Sequence, residues 1–189
     1  MSEISTLPTS QEGVSLRPLG DEEYSTLRET MGMKPFLVMP KHVSQMGLRR
    51  ALIEERKIIA RVFPSLMQFG ISKDEELVGE ANLLPRAYEP GIGEVSYGVI
   101  DDYQGNGYAT AAVKALTEFG LEQRDLNVVY AKIREGNVGS QRVIKKAGFV
   151  PFARQDGILY FEHHRTTSFE VAQLQTAKAA VLVPRERMA

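Results

Sequence analysis

Apolar positions along this chain keep two rhythms, one alternating residue by residue and one recurring every three or four, and each change of rhythm marks an element boundary. In VSLRPL, 14–19, Val14, Leu16 and Leu19 suggest a short strand. Gly20 and Asp21 then turn and cap a helix with Tyr24, Leu27 and Met31 on one side. MGMKPFLVMP breaks that helix. From Lys41 to about Val62 a second helical segment sets Val43, Met46, Leu52, Ile53 and Ile59 among many charges. SLMQFGIS, the polar turn KDEE and LVGEANLLP read as a β-hairpin over about 65–84. Pro85 closes its second strand, having no N–H to give to a ladder.

The alternation returns in EVSYGVI, 94–100, which puts Val95, Tyr97 and Val99 on one face and Glu94, Ser96 and Gly98 on the other. The second face is small and polar, as the wall of a cleft would be. Beyond a glycine-rich turn, Ala109, Ala112, Val113, Leu116 and Phe119 form one apolar helical stripe that ends near QRD. LNVVYAKI, 126–133, is apolar and β-branched enough for a buried strand. After the turn at Gly136 and Asn137, Val143, Ile144 and Ala147 define the buried side of a short helix stopped by Gly148. FVPFARQDGILYFEH, 149–163, completes the pattern as a hairpin or two short strands. This order of strand, two helices, three antiparallel strands, helix, strand, helix and two strands predicts a mixed α/β layer.

Composition narrows the chemistry. The 189 residues suit one domain, and 43% hydrophobic with 25% charged residues is ordinary for a soluble globular protein. A formal charge of -1 gives no overall field for nucleic acid or anionic lipid. Cysteine is absent, which removes disulfides, thiolate zinc sites and cysteine nucleophiles and fits a reducing cytoplasm. The polar start MSEISTLPTSQEG resembles neither a signal nor a transit peptide, and no apolar run approaches the roughly 20 residues of a membrane span. A cytoplasmic protein is expected. Adjacent His163 and His164 point to opposite faces of a strand, so they are read as a polar pair and no metal site is expected.

The chemistry concentrates in QGNGYA, 104–109, between a strand and a helix mouth. Unsatisfied N–H groups and the positive end of a helix dipole converge there, an arrangement that binds phosphate, although a short G-x-G also occurs in simple tight turns. Thr110 stands where a dinucleotide fingerprint wants a third small residue, and Lys114 is too late for a nucleotide triphosphate loop. Gln104-Gly105-Asn106-Gly107-Tyr108-Ala109 instead resembles the acyl-CoA pyrophosphate loop of the GNAT superfamily of N-acyltransferases. NVGSQRVIKKAGF is similar to that family's Asn-x-x-Ser…Gly-Phe helix, VSLRPLGDEEYSTL to its opening, and FGISKDEELVGEANLL to its β-hairpin. EVSYGVIDDYQGNGYA is similar to the ribosomal-protein N-terminal acetyltransferase branch, with Ser96 where that branch usually has glycine.

The resemblance covers roughly 14–164. It implies a GNAT fold of class α/β (α+β), with a mixed, mostly antiparallel sheet of six to seven strands flanked by about four helices. A loose lead-in over 1–12, a domain over 13–164 and a tail over 165–189 that is helical or frayed are expected. Acetyl-CoA is the implied co-substrate, and the acceptor a small-molecule amine or a protein N-terminus, with a homodimer left open. A CoA-binding regulatory module without turnover is the alternative. Carried over residue by residue, Gln104, Gly105, Asn106, Gly107, Tyr108 and Ala109 would hold the pyrophosphate, and the main chain at Val99 and Ile100 would hold pantetheine and the thioester oxygen. Asn137 would contact the pantetheine arm or cap its helix. Glu94 would take the proton of the attacking ammonium, the other reading being a solvated strand-end carboxylate. Ser140 would protonate the leaving thiolate, or serve only in packing. A tyrosine often has that last task in the superfamily, and Ile144 stands in its place here.

Overall fold

The computed structural model describes residues 5–34 and 46–166. Its elements follow the predicted order: β2 (Val14–Pro18), α1 (Asp21–Thr30), α2 (Leu48–Val62), β3 (Met67–Lys73), β4 (Glu76–Pro85), β5 (Ile92–Val99), α3 (Tyr108–Gln123), β6 (Val128–Arg134), α4 (Val138–Lys146), β7 (Val150–Gln155) and β8 (Ile158–His164). They are preceded by a two-residue strand, β1 (Leu7–Pro8), inside the stretch expected to be loose. Leu7 is buried and sits opposite Leu16, so one apolar side chain in a polar lead-in is enough to draw the chain onto the sheet edge. The sheet therefore has eight strands, in the order β1-β2-β3-β4-β5-β6-β8-β7, rather than six to seven. The expected start of α2 at Lys41, with Val43, lies outside the described residues, as does the tail from residue 167.

Every strand pairing is antiparallel except that of β5 with β6. This one parallel pairing extends from Ile92 opposite Val128 only to Glu94 opposite Tyr130. Past Glu94, β5 stays on β4 as far as Val99 opposite Gly79, while β6 continues against β8. The sheet forks at this point.

Helix α3 covers one face. Its stripe Ala112, Val113, Leu116 and Phe119 is buried with Phe69, Leu83 and Val95, and Phe119 meets the Phe69 ring edge-on at 6.2 Å. Burying a Leu or Phe side chain stabilises by about 1.5–3 kcal/mol, so this layer supplies the main cohesion of the fold. Helix α1 takes the opposite face through Tyr24 and Leu27, with Leu19 beside them, and α2 packs against α1.

Beneath α1 the Arg28 guanidinium lies between two buried carboxylates, 3.0 Å from Glu80 Oε1 and 3.8 Å from Glu55 Oε1. Tyr24 offers its ring to Arg28 at 5.4 Å and to Arg56 at 5.1 Å. Burial raises the Glu80 carboxyl above its ordinary range, against the lowering pull of Arg28. One arginine thus pins α1 to both its neighbouring helix and the sheet.

Candidate active site

The fork opens into a cavity of about 730 Å³. Its walls are the end of β5, the glycine loop and first turn of α3, the outer face of α4, and Thr30 and Met31 from the end of α1. Four separate elements meet here because β6 leaves β5 early, so the cavity is a product of topology rather than of any one motif.

Gly105 and Gly107 have φ of +82° and +85°. A side chain is strained at such angles whatever the space, and the space around Gly105 is open, with no atom within 4 Å of an added Cβ. The glycines thus answer a backbone requirement and leave the loop surface bare toward the cavity. Two amide side chains brace the loop. Gln104 donates to Val99 O at 3.1 Å and Asp101 Oδ1 at 2.7 Å, and Asn106 donates to Tyr103 O at 3.1 Å. Gln11, in the lead-in, donates to Asn106 O at 3.1 Å. The first helical bond of α3 joins Ala111 N–H to Gly107 O at 3.0 Å. Among the described residues, none accepts from the main-chain N–H groups of 105–110, which stand at the electropositive N-terminal end of a 16-residue helix.

On β5, Ile100 and Val99 both line the cavity, but their N–H groups differ. Ile100 N–H donates to Val78 O at 3.0 Å, so it is not free for a thioester oxygen as expected. In an antiparallel strand successive N–H groups point to opposite sides, which turns Val99 N–H away from β4 and into the fork. The side-chain pattern of EVSYGVI could not distinguish the two, since hydrogen-bond direction depends on where each neighbouring strand stops.

Asn137 caps α4, its side-chain oxygen accepting Ser140 N–H at 3.0 Å. The carbonyl of Ser140 accepts the Tyr97 hydroxyl at 2.9 Å. Ser140 is therefore held at both its N–H and its C=O by side chains that line the same cavity. Burial pushes the Tyr97 phenol up to about 12, so it stays a donor near neutral pH. Sequence reasoning placed Tyr97 on the core face alone. Its ring does pack on the core, and only the three-dimensional path of α4 brings a carbonyl to its hydroxyl. Ile144 is fully buried and offers no group to the cavity.

Glu94 lies apart from the cavity lining, at the vertex of the fork. Its carboxylate accepts the Tyr130 hydroxyl and sits 3.0 Å from Lys132 Nζ. Burial, followed by the bond to Glu94, raises the Tyr130 phenol, and the Arg86 guanidinium stands 5.2 Å from its ring centroid. His163 and His164 are separate, with His163 against the Phe149 ring and His164 3.0 Å from Glu162. Among the described residues no helix is long and apolar enough to cross a membrane, and no three His, Cys, Asp or Glu side chains gather as metal ligands would.

A mixed α/β sheet that forks between β5 and β6, with unpaired main-chain N–H groups beside the fork, defines the class of fold. The chain belongs to the acetyltransferase (GNAT) domain family, whose profile matches residues 14–150. It is 32% identical over 74 residues to the uncharacterized protein YkkB of Bacillus subtilis (strain 168), a match covering 39% of this chain and 43% of that protein. The matches to the curated relatives span less than half of each relative's length. Among solved structures, RimL, a ribosomal alpha-N-protein acetyltransferase in complex with coenzyme A, shares the fold with a TM-score of 0.67 at 14% identity, covering 85% of this chain and 98% of RimL. Mycobacterium smegmatis RimJ, in complex with a CoA disulfide, gives 0.66 at 18% identity, over 92% of this chain and 95% of RimJ.

Proposed function

We propose that this protein is an N-acetyltransferase that moves an acetyl group from acetyl-CoA to a primary amine by direct transfer. The observation that carries the reading is the conjunction of a forked sheet, a free-edged Val99 N–H inside the fork, and uncommitted N–H groups of 105–110 beside it. An acyl-CoA offers matching chemistry, with a pyrophosphate for the loop and amide groups for the strand edge. Val99 N–H is the donor assigned to the pantetheine arm and the thioester carbonyl. Ser140, held by Asn137 and Tyr97, is assigned the proton for the leaving thiolate. Glu94 is assigned the ammonium proton, taken directly or through water, with Tyr130 and Lys132 holding its carboxylate. RimL, a ribosomal alpha-N-protein acetyltransferase of the same fold, favours a protein N-terminus among the acceptors, beside small-molecule amines.

The burial of Ile144 where the superfamily often has a catalytic tyrosine supports one second reading, a CoA-binding module without turnover. Purified protein incubated with acetyl-CoA and a panel of amines, peptides with free N-termini included, separates the two. Amine-dependent release of free thiol supports the transferase. Tight CoA binding with no thiol release from any amine leaves the binding module.

A further inference from the structure

Glycine inside a strand weakens it, and Gly98 of β5 has no positive φ to require it. What requires it is a neighbour, since a Cβ there would stand 2.5 Å from Met31 Cε. Met31, at the end of α1, therefore lies directly on bare main chain one residue before Val99. The strand face it covers is the one that carries Glu94 and Ser96. Methionine is flexible about three bonds, so its station is set by the backbone that bears it. That backbone is tied at Arg28, whose carbonyl accepts Met33 N–H at 2.8 Å and closes the helix end. The Arg28 guanidinium bonds Glu80 at 3.0 Å and stands 3.8 Å from Glu55. Glu80 sits directly opposite Gly98 in the register of β4 and β5. Residues 28 and 31 are neighbours on one side of α1, so helix meets sheet at two adjacent points. Desolvation cancels much of what a buried ion cluster gains, so this one serves position more than stability.

We propose that Met31 limits the length of the acyl group, held over Gly98 by the buried Arg28–Glu80–Glu55 cluster, so that the protein accepts acetyl and rejects longer straight chains. The proposal rests on the acyl-CoA reading, which assigns the thioester oxygen to Val99 N–H. The carbon chain of the acyl group then leaves beside Gly98, where Met31 closes the wall of the cavity. A methyl group stops short of the thioether. A longer chain meets it, and Met31 yields only by leaving its packing with Ile100 against Leu19, Tyr24 and Leu27. Met31 is thus the specificity-determining side chain. Arg28, outside the cavity lining, is a positioning residue that acts through it.

The test is a titration of free CoA, acetyl-CoA and butyryl-CoA into the wild-type protein, M31A, R28Q and R28K, each checked by melting. The readout is the ratio of butyryl-CoA to acetyl-CoA affinity. Loss of folded protein does not move it, because both titrations see the same folded fraction. The wild type should bind butyryl-CoA about 10- to 200-fold more weakly than acetyl-CoA, the range for a misfitted methylene in an apolar pocket. M31A removes everything beyond Cβ, room for the two carbons by which butyryl exceeds acetyl, and should bring the affinities together. R28Q should relax the ratio in the same direction without touching the cavity. R28K keeps the charge but lacks the fork that spans both carboxylates, so it should fall between R28Q and the wild type. Equal wild-type affinity for the two acyl-CoAs overturns the proposal, and so does M31A with the wild-type ratio. A folded R28Q with the full wild-type ratio overturns the role of the cluster, and if R28Q fails to fold, R28K decides by the same measure. A wild type that binds none of the three ligands defeats the acyl-CoA reading itself.

Discussion

Replacing Gly107 by alanine separates the role of the loop in folding from its role in binding. At φ +85° a Cβ is strained by about 1–2 kcal/mol, and a domain of this size loses about 2–4 °C of Tm per kcal/mol, so the variant should melt roughly 2–8 °C lower. Crowding adds little, because the nearest atom to the new Cβ is Gln11 Oε1 at 3.4 Å, the far end of a flexible side chain. The protein therefore still folds. The ligand effect is separate. At CoA one hundred times its Kd, the wild type gains about 2.7 kcal/mol, equivalent to roughly 5–11 °C. If the main chain of the loop lies against a phosphate, a methyl group there, and more so the bulk of Gly107→Val, should remove most of that gain. The assay is thermal melting of wild type, G107A and G107V with and without CoA, with NAD as the control that should shift none of them. A folded G107V with the full wild-type CoA shift would refute the cradle and leave a simple turn.

Two further tests address the proton path and the buried charges. Glu94→Gln should cut kcat/KM by about 10² to 10⁴ near neutral pH, with partial rescue at high pH, where an amine of pKa about 10.4 arrives more often neutral. Ser140→Ala should lower kcat without alkaline rescue, and identical pH–rate profiles for both variants would dismiss the division of labour. For Glu80, burial raises the folded-state carboxyl above its unfolded value, so its contribution to stability is fully present below the unfolded value of about 4.3 and is lost as pH rises through the folded value. The Tm of wild type minus that of Glu80→Gln should therefore fall as pH climbs from about 4 toward neutrality, and a pH-independent difference would show that Glu80 does not titrate in this way.

Much of the fold was legible because each core element announces its own period. The alternation of β5 and the stripe of α3 translate directly into the two layers. Leu7 was missed because one apolar residue carries no period, and the eighth strand exists only through its pairing with Leu16. The site divided along similar lines. QGNGYA and the Asn137 cap are local in sequence, and the structure puts Asn137 and every residue of 104–109 except Asn106 around one cavity. The loss of the Ile100 donor to Val78, the Tyr97 bond to Ser140 and the pairing of Glu94 with Lys132 span different elements. No spacing rule along a single segment encodes them.

The fork also makes the molecule a book with two unequal leaves. Antiparallel pairing binds β1 to β5 into one leaf and β6, β8 and β7 into the other. The spine is the short register from Ile92 to Glu94, backed by α3. A bound substrate whose amides answer the bare edge of β5 would act as an extra page glued across the opening. Firmness along the spine would then rise and fall with the supply of that substrate in the cell. A protease would find the empty molecule easier to open than the loaded one.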